Sequence, residues 1–584
     1  MELLQDAIQE VIADVFGIDH PIVLTIPDEQ FGDFACNVAL QLAGRVGKAP
    51  REIAEKLQPL ITALPVVDSV AIAGPGFLNI CMQTEFLSAL ANQPARQVWK
   101  GKTVVCEYSC PNYFKELHAG HLYQTILGDS VARLLEHAGA QVQRTNFGGD
   151  VGLHVAKAIY GMNKNTNGTF QSENYSSTLQ HMHALKAEDR APFLASSYVV
   201  GSADYESDLA DAKQLIEALN ADLYKTVFSK QAGDLDDVAS TSQREIHTLG
   251  RQWSREYFDR FYERLQLKKQ QNGTFFRYYP ESETARPGES IVQNELLKGD
   301  AQSIFTPSDG AVVFRGEDHG LHTRVFLTKQ GLPTYETKDL GLIFMESKEF
   351  SFDYRILITG SDQKEYMKVV WKVADLLEPG IGTKMTHMTN GIIKFGDGKK
   401  MSSRLGNVTR AVDILDTVQT IVTKTGEPRS DEAIMLGAVK YEFLKYRVGG
   451  DIAFDPEESV STQGNSGPYL QYAHARASSI LRKATKNTIS QLTENNLEFD
   501  EAERSFLRKL SHYSLVLDDA VAELAPHVIT TYLYELAQIF NSFYEHNRVI
   551  GDERETVRLA LINRYRQTLQ HGLELLGIHA PEQM

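Results

Sequence analysis

At 584 residues the chain is too long for one hydrophobic core and points to about three or four folding units. Its 42% hydrophobic and 23% charged residues exclude disordered and fibrous classes, and a formal net charge of −17 argues against a nonspecific nucleic-acid binder, leaving room for a confined basic surface. Four cysteines without a Cys-x-x-Cys pair argue against structural zinc or a disulfide framework, and no apolar run approaches the roughly 20 residues that cross a bilayer, so a soluble, cytoplasmic protein is expected.

Residues 1–98 read as a separate α+β domain. Leu3, Ala7, Ile8, Val11, Ile12 and Val15 trace an amphipathic helix, Phe31 to Asn37 leads into a second, and Pro50 opens a third. Val70–Ala73 and Phe77–Cys81 flank Gly74-Pro75-Gly76 as a hairpin. Next, Thr103-Val104-Val105 reads as a buried strand, and Leu122, Ile126, Leu127, Val131, Leu134 and Leu135 recur at helical spacing until Gly139. A second strand over Gln141–Asn146 completes a βαβ unit with His118-Ala119-Gly120-His121 at its helix N-terminus. That position favours an anion, and Gly120 lets a flat ligand approach the backbone, which makes it a nucleotide cradle. Asn146 to Gly152 adds a glycine-rich turn where open α/β sheets hold ligands.

From 161 to 245 polar residues dominate. The composition predicts a loop at Asn163–Gly168 and helices at Asp208–Leu219, Asp234–Leu249 and Trp253–Leu265, an insertion spanning about 161–265. Ala311–Phe314, Thr323–Thr328 and Tyr354–Thr359 read as strands that resume the parallel sheet, with a helix at Glu365–Leu377. Between them, Tyr335 and Asp339 are spaced to share a helix face. Phe395 to Asn407 carries Lys399, Lys400 and Arg404 between glycines, a basic loop suited to closing over phosphates. Beyond 410 the pattern is helical to the end, with Arg476, Arg482 and Lys483 on one helix and an apolar stripe at Tyr532, Leu536, Ile539, Phe540 and Phe543. The expected fold class is a multidomain α/β protein: the N-terminal α+β domain, a Rossmann-type parallel-sheet domain over 99–410, and an all-α bundle over 411–584.

Alone, each motif also fits an ordinary helix start or surface loop. With His118-Ala119-Gly120-His121 opening the sheet domain and Lys400-Met401-Ser402-Ser403-Arg404 closing it before a helical bundle, the chain resembles class I aminoacyl-tRNA synthetases. The finer resemblance is to arginyl-tRNA synthetases. It is carried by Glu107–Asp129, Asn146–Gly152, Tyr335–Asp339, Gly398–Asn407, Gly464–Arg476, the ending from Leu576, and the N-terminal Phe31–Ala35 region.

The resemblance implies arginine activation by ATP with magnesium and transfer to tRNA(Arg) by a monomer that has no membrane or DNA partner and no tightly bound metal. The N-terminal domain would meet the tRNA elbow and the bundle the anticodon, through Arg476, Arg482 and Lys483. It implies phosphate contacts from Lys115, His118, His121, Lys400 and Arg404, with Gly120, Gly149, Asp150, Met401, Ser402 and Ser403 lining the ATP site. Asp339 with Tyr335 would hold the guanidinium, aided by Glu107 and by Glu281 as a further carboxylate; Ser109, Asn112 and Gln363 would hold the amino acid's polar end.

Three features depart from the pattern. Ser403 replaces the usual second lysine of the closing loop, and Lys115 is in place to supply that charge; Val151 and His154 stand where an aromatic residue and an amide are usual; and the 161–245 segment aligns poorly. Two rivals remain at this point. A small-molecule nucleotidyltransferase of the same superfamily would not need the helical third, and a non-catalytic RNA-binding paralogue would show decayed motifs.

Overall fold

The computed structural model describes the chain apart from residues 172–174, 208–209, 229–237, 271–272, 300–301, 396–409, 425–430, 485–491 and 493–497. The N-terminal unit is an antiparallel sheet in the order β1 (Leu24–Thr25), β2 (Phe34–Cys36), β4 (Phe77–Met82), β3 (Val67–Ala73). Helices α2 (Val38–Val46) and α3 (Pro50–Thr62) pack on this sheet, and α1 (Glu2–Phe16) packs on α3. After α4 (Thr84–Ala91) the chain enters the second sheet. Buried Asp33 fastens this unit to the C-terminal bundle: its carboxylate takes the Met82 N–H at 2.7 Å, Arg504 at 2.7 Å and Arg508 at 3.3 Å.

The central sheet is wholly parallel. Its order is β12 (Met385–Asn390), β11 (Tyr354–Gly360), β5 (Thr103–Glu107), β6 (Gln141–Gly148), β7 (Arg277–Pro280). Chain order runs outward from β5 to β7 on one side, then resumes at β11 on the other, so the direction of winding reverses between β5 and β11. Ligands of such sheets bind at the carboxyl ends beside that reversal. There, β5 feeds the turn into α5 (Ala119–His137), and β11 ends at Ser361–Gln363.

The structure corrects three sequence expectations. Ala311–Phe314 (β9) and Arg324–Leu327 (β10) do not join the parallel sheet; with β8 (Phe305–Ser308) they form a separate antiparallel sheet. Asp309 and Gly310, at φ 48° and 81°, reverse the chain within two residues, whereas a parallel neighbour needs a long crossover. The polar run at Asn163–Gly168 is largely helix: α6 (Leu153–Asn167) continues to Asn167, its polar side chains bonding to nearby backbone, and stops at Gly168 with φ 80°. After α7 (Tyr175–Ala184), α8 (Ala187–Glu206) and α9 (Ala210–Phe228), the two helices expected at Asp234–Leu249 and Trp253–Leu265 are one, the 27-residue α10 (Val238–Arg264). Gly250 within it marks a close approach, since a Cβ there would overlap the Phe114 ring.

Two helix crossings set the site. A Cβ at Gly161 would overlap the Ser197 carbonyl and one at Gly201 the Lys157 carbonyl, so α6 and α8 touch backbone to backbone. The same holds for Gly288 against Thr337 and Gly341 against Thr284, where α11 (Glu281–Leu296) crosses α12 (Tyr335–Phe350). After α13 (Lys364–Leu377) and the pairing of β13 (Ile393–Phe395) with β14 (Ile452–Phe454), the chain is helical. The last helix, Glu555–Leu575, is tied back to α5, where Ser130 donates to the Leu575 carbonyl at 3.1 Å and Arg133 to the Glu574 carbonyl at 3.2 Å; Lys440, on the helix Asp431–Leu444, donates to the Gly577 carbonyl just past it at 2.6 Å.

Candidate active site

The turn after β5 is bent by left-handed backbone at Ser109 and Cys110, φ 71° and 42°, which non-glycine residues rarely adopt. Ser109 is fully buried, its hydroxyl bonded to Tyr262 at 2.8 Å and Thr125 at 2.9 Å. His118 caps α5: its Nδ1 accepts the Gly120 and His121 N–H groups at 3.1 and 3.4 Å, and its own backbone N–H donates to His121 Nδ1 at 3.2 Å. The two rings lie 3.8 Å apart, centroid to centroid.

Three consequences follow from this cap. Both Nδ1 atoms are acceptors, so each neutral ring carries its proton on Nε2. Burial, reinforced by Lys115, lowers the His118 pKa to about 4, and burial puts His121 well below its ordinary value, so both act as uncharged N–H donors. The Gly120 and His121 amides that a bare helix N-terminus would offer an anion are occupied by the cap. Positive charge comes from Lys115, whose Nζ sits 4.1 Å from the centroid of the Tyr198 ring on α8. Helix α8 thus lies beside the turn that carries Lys115. Lys400, Met401, Ser402, Ser403 and Arg404 lie outside the described residues; the chain rejoins them at Arg410, which bridges His118, while the Ala411 N–H donates to Leu117 at 2.8 Å.

On α12, Tyr335 is half exposed, and Asp339 accepts a hydrogen bond from the Tyr366 hydroxyl. Burial pushes the Asp339 carboxyl up to about 7 despite that bond. Lys338, between them, pairs with Glu281 at 2.6 Å, both nearly inaccessible, and approaches Tyr224 of α9. A partly buried carboxyl with no ion-pair partner among the described residues favours a cationic ligand, because the ligand replaces the lost hydration.

Other expected residues fall differently. Glu107 is bound by Arg355, which also holds Glu346, and burial raises the Glu107 carboxyl against that pull. Asp150 is fully buried, holding the Ser282 N–H at 2.9 Å, the Ser282 hydroxyl at 2.7 Å and Arg251 at 3.0 Å, and so braces the Gly149 turn. Gln363 is exposed at the end of β11, and Asn112 lies against Gly149, where a Cβ would overlap its Oδ1. Among the described residues no cluster of His, Cys, Asp and Glu is arranged to hold a metal, and no helix is long and apolar enough to cross a membrane.

A model for the catalytic domain of class I (R) tRNA synthetases matches residues 85–455, one for the arginyl tRNA synthetase N-terminal domain matches 2–82, and one for the DALR anticodon binding domain matches 470–584. The chain belongs to the arginyl-tRNA synthetase family. It is similar to an arginine–tRNA ligase of Synechococcus sp., 30% identical over 614 aligned residues that cover 100% of this chain and 99% of the relative. A second arginine–tRNA ligase, from Haemophilus influenzae, is 29% identical over 95% and 94%. The fold is shared with the solved arginyl-tRNA synthetases of Thermus thermophilus, with TM-score 0.78, 22% identity and full coverage of both chains, and Plasmodium falciparum, with TM-score 0.76, 19% identity and coverage of 100% and 99%.

The synthetase's bundle carries a groove of about 1180 Å³ in which Arg476, Arg482 and Lys483 meet Tyr472, Tyr544 and Arg548. The Arg476 guanidinium lies 4.9 Å from the Tyr472 ring and 6.0 Å from Tyr544, and Arg482 donates to the Glu582 carbonyl at 2.9 Å. The sequence reading missed Arg355, Tyr198, Tyr224 and Tyr366. Only Arg355 left a signal there, as a charge inside the apolar run Tyr354–Thr359.

With Asp339 as the expected seat of the guanidinium, arginine binding would be pH-dependent: the cation would need the ionised carboxylate, which the free protein protonates below about pH 7. Arginine KM should therefore rise up to about tenfold per unit as pH falls below 7 and level off above it. Steady-state KM between pH 5.5 and 8.5 reads this, and Asp339→Asn should flatten the profile; a slope retained in that variant assigns it to another group.

Proposed function

We propose that the chain joins arginine to tRNA(Arg) at the expense of ATP, with Asp339 and Tyr335 holding the guanidinium, Glu281 nearby, and Asn112 and Gln363 holding the polar end. The observation that carries this reading is Asp339, a partly buried carboxyl with a raised pKa and no ion-pair partner among the described residues. In the first step the arginine carboxylate attacks the α-phosphorus and pyrophosphate leaves. In the second, the terminal ribose hydroxyl of the tRNA attacks the adenylate carbonyl and AMP leaves. No covalent intermediate with the protein is required.

The residues act by placing charge and donors. Nε2–H of His118 and His121 donates to the phosphate oxygens while Lys115 neutralises the charge gained as the α-phosphorus is attacked. Lys400 and Arg404 would add cations from the closing loop. Magnesium carried by the nucleotide would add to the neutralisation of its phosphates. The groove at Arg476, Arg482 and Lys483 takes the anticodon strand, its tyrosines offering faces to unstacked bases; this basic track reconciles an acidic protein with an RNA partner. The molecule works as a monomer in the cytoplasm.

ATP–pyrophosphate exchange with each amino acid in turn, with and without total tRNA, tests the reading. Exchange is expected with arginine alone; exchange with a different amino acid overturns the pocket assignment, and none under either condition favours the non-catalytic paralogue.

A further inference from the structure

His154 lies in the first turn of α6, directly after the Gly149–Gly152 turn at the carboxyl end of β6. Its Nε2 is 2.9 Å from the Gly149 carbonyl oxygen. That oxygen can only accept, so the imidazole proton sits on Nε2 and Nδ1 presents a bare lone pair. Nδ1 is buried and has no hydrogen-bond partner among the described residues, although the side chain is more than nine-tenths buried. An orphaned buried acceptor is costly unless a donor arrives. Burial and the charge of Lys115 keep the ring neutral, so the lone pair persists at physiological pH.

The surroundings say which donor. A Cβ at Gly152 would stand 3.7 Å from His154 Nδ1 and 3.8 Å from Lys338 Nζ. One at Gly149 would stand 3.1 Å from the His154 ring carbon Cε1, 3.1 Å from Glu281 Oε1 and in overlap with Asn112 Oδ1. The Nδ1–Cε1 edge of the imidazole therefore has the Lys338 ammonium on its Gly152 side and the Asn112 and Glu281 oxygens on its Gly149 side. Three acceptors stand there against one cation that Glu281 already holds at 2.6 Å, so a further donor group completes the set, and an ammonium is one.

We propose that His154 Nδ1 accepts a hydrogen bond from the α-ammonium of the arginine substrate, doing with an imidazole what an amide side chain at this position would do with its oxygen. This rests on the reading that arginine's polar end lies at Asn112.

The test compares arginine with 5-guanidinopentanoate, which lacks only the α-ammonium, as a competitive inhibitor of pyrophosphate exchange. His154→Ala should raise the arginine KM about tenfold while leaving the inhibitor's Ki within about twofold, and His154→Gln, which keeps an acceptor and a donor for the Gly149 carbonyl, should stay near wild type on both. Equal loss on both ligands in His154→Ala, or no loss on either, overturns the proposal. Asn112→Ala separates it from the reading beneath: if that variant loses discrimination between the two ligands while His154→Ala keeps it, only the role of His154 fails; if neither loses it, the placement of the polar end fails. Thermal melts of all three variants confirm that folded protein is compared.

Discussion

Asp339→Asn is expected to lower kcat/KM for arginine on the order of 10³-fold, with most of the loss in KM. The guanidinium would enter a buried site whose counter-charge has gone, and leaving one member of a buried ion pair unmatched costs about 3–5 kcal/mol. The same change should not weaken the fold. The native state holds this carboxyl above its ordinary value of 3.8, at about 7, so ionising it costs folding stability that grows as pH rises from 3.8 through about 7. Asparagine removes that cost while keeping a partner for the Tyr366 hydroxyl. A melting temperature at pH 8 that is equal or higher, beside the lost activity, marks a residue kept for its ligand; a large drop in melting temperature would make Asp339 structural.

Lys115→Ala is expected to lower kcat about 10²- to 10³-fold, the range seen when a preorganised donor to a developing charge is removed, with arginine KM nearly unchanged. The expected size follows from the electrostatics of the histidine pair. His118 and His121 are held neutral and donate through Nε2, so neither supplies a full positive charge, and Ser403 leaves the closing loop one cation short of the usual pattern. Tyr198→Leu, which removes the ring beneath Lys115 and leaves the cation, should cost no more than about 30-fold, since a cation–π contact contributes at most about 2 kcal/mol. Single-turnover adenylate formation measures both variants, and a Lys115→Ala enzyme with unchanged kcat would place the neutralising charge elsewhere.

The parts of the molecule legible in the sequence were those specified locally. Helical spacing from Leu122 to Leu135 between two apolar strands was enough to place α5 in a βαβ unit, because neighbouring residues set that pattern. The Tyr335–Asp339 spacing likewise gave one helix face. What stayed hidden depends on partners far away in the chain. Nothing near Glu107 announces Arg355, 248 residues on, which binds its carboxylate. Nothing in the polar 161–245 run announces that Gly161 and Gly201 let α6 and α8 touch, bringing Tyr198 over Lys115. The misassigned β9 and β10 show the same limit, since strand propensity gave their existence but not their partners: the two-residue Asp309–Gly310 turn pairs β9 with β8, and β10 pairs with β9. The bracing bonds of Asp150 were hidden in the same way, because a carboxylate in a glycine-rich turn looks the same whether it faces a ligand or braces the turn from behind.

The central claim is that a negative charge at Asp339 selects arginine, and pyrophosphate exchange with arginine and with citrulline, its near-isosteric neutral counterpart, tests it most directly. Wild type should prefer arginine by on the order of 10³-fold or more in kcat/KM, and Asp339→Asn should lose most of that preference while remaining folded. A variant that keeps the wild-type preference would contradict the assignment of the guanidinium to Asp339.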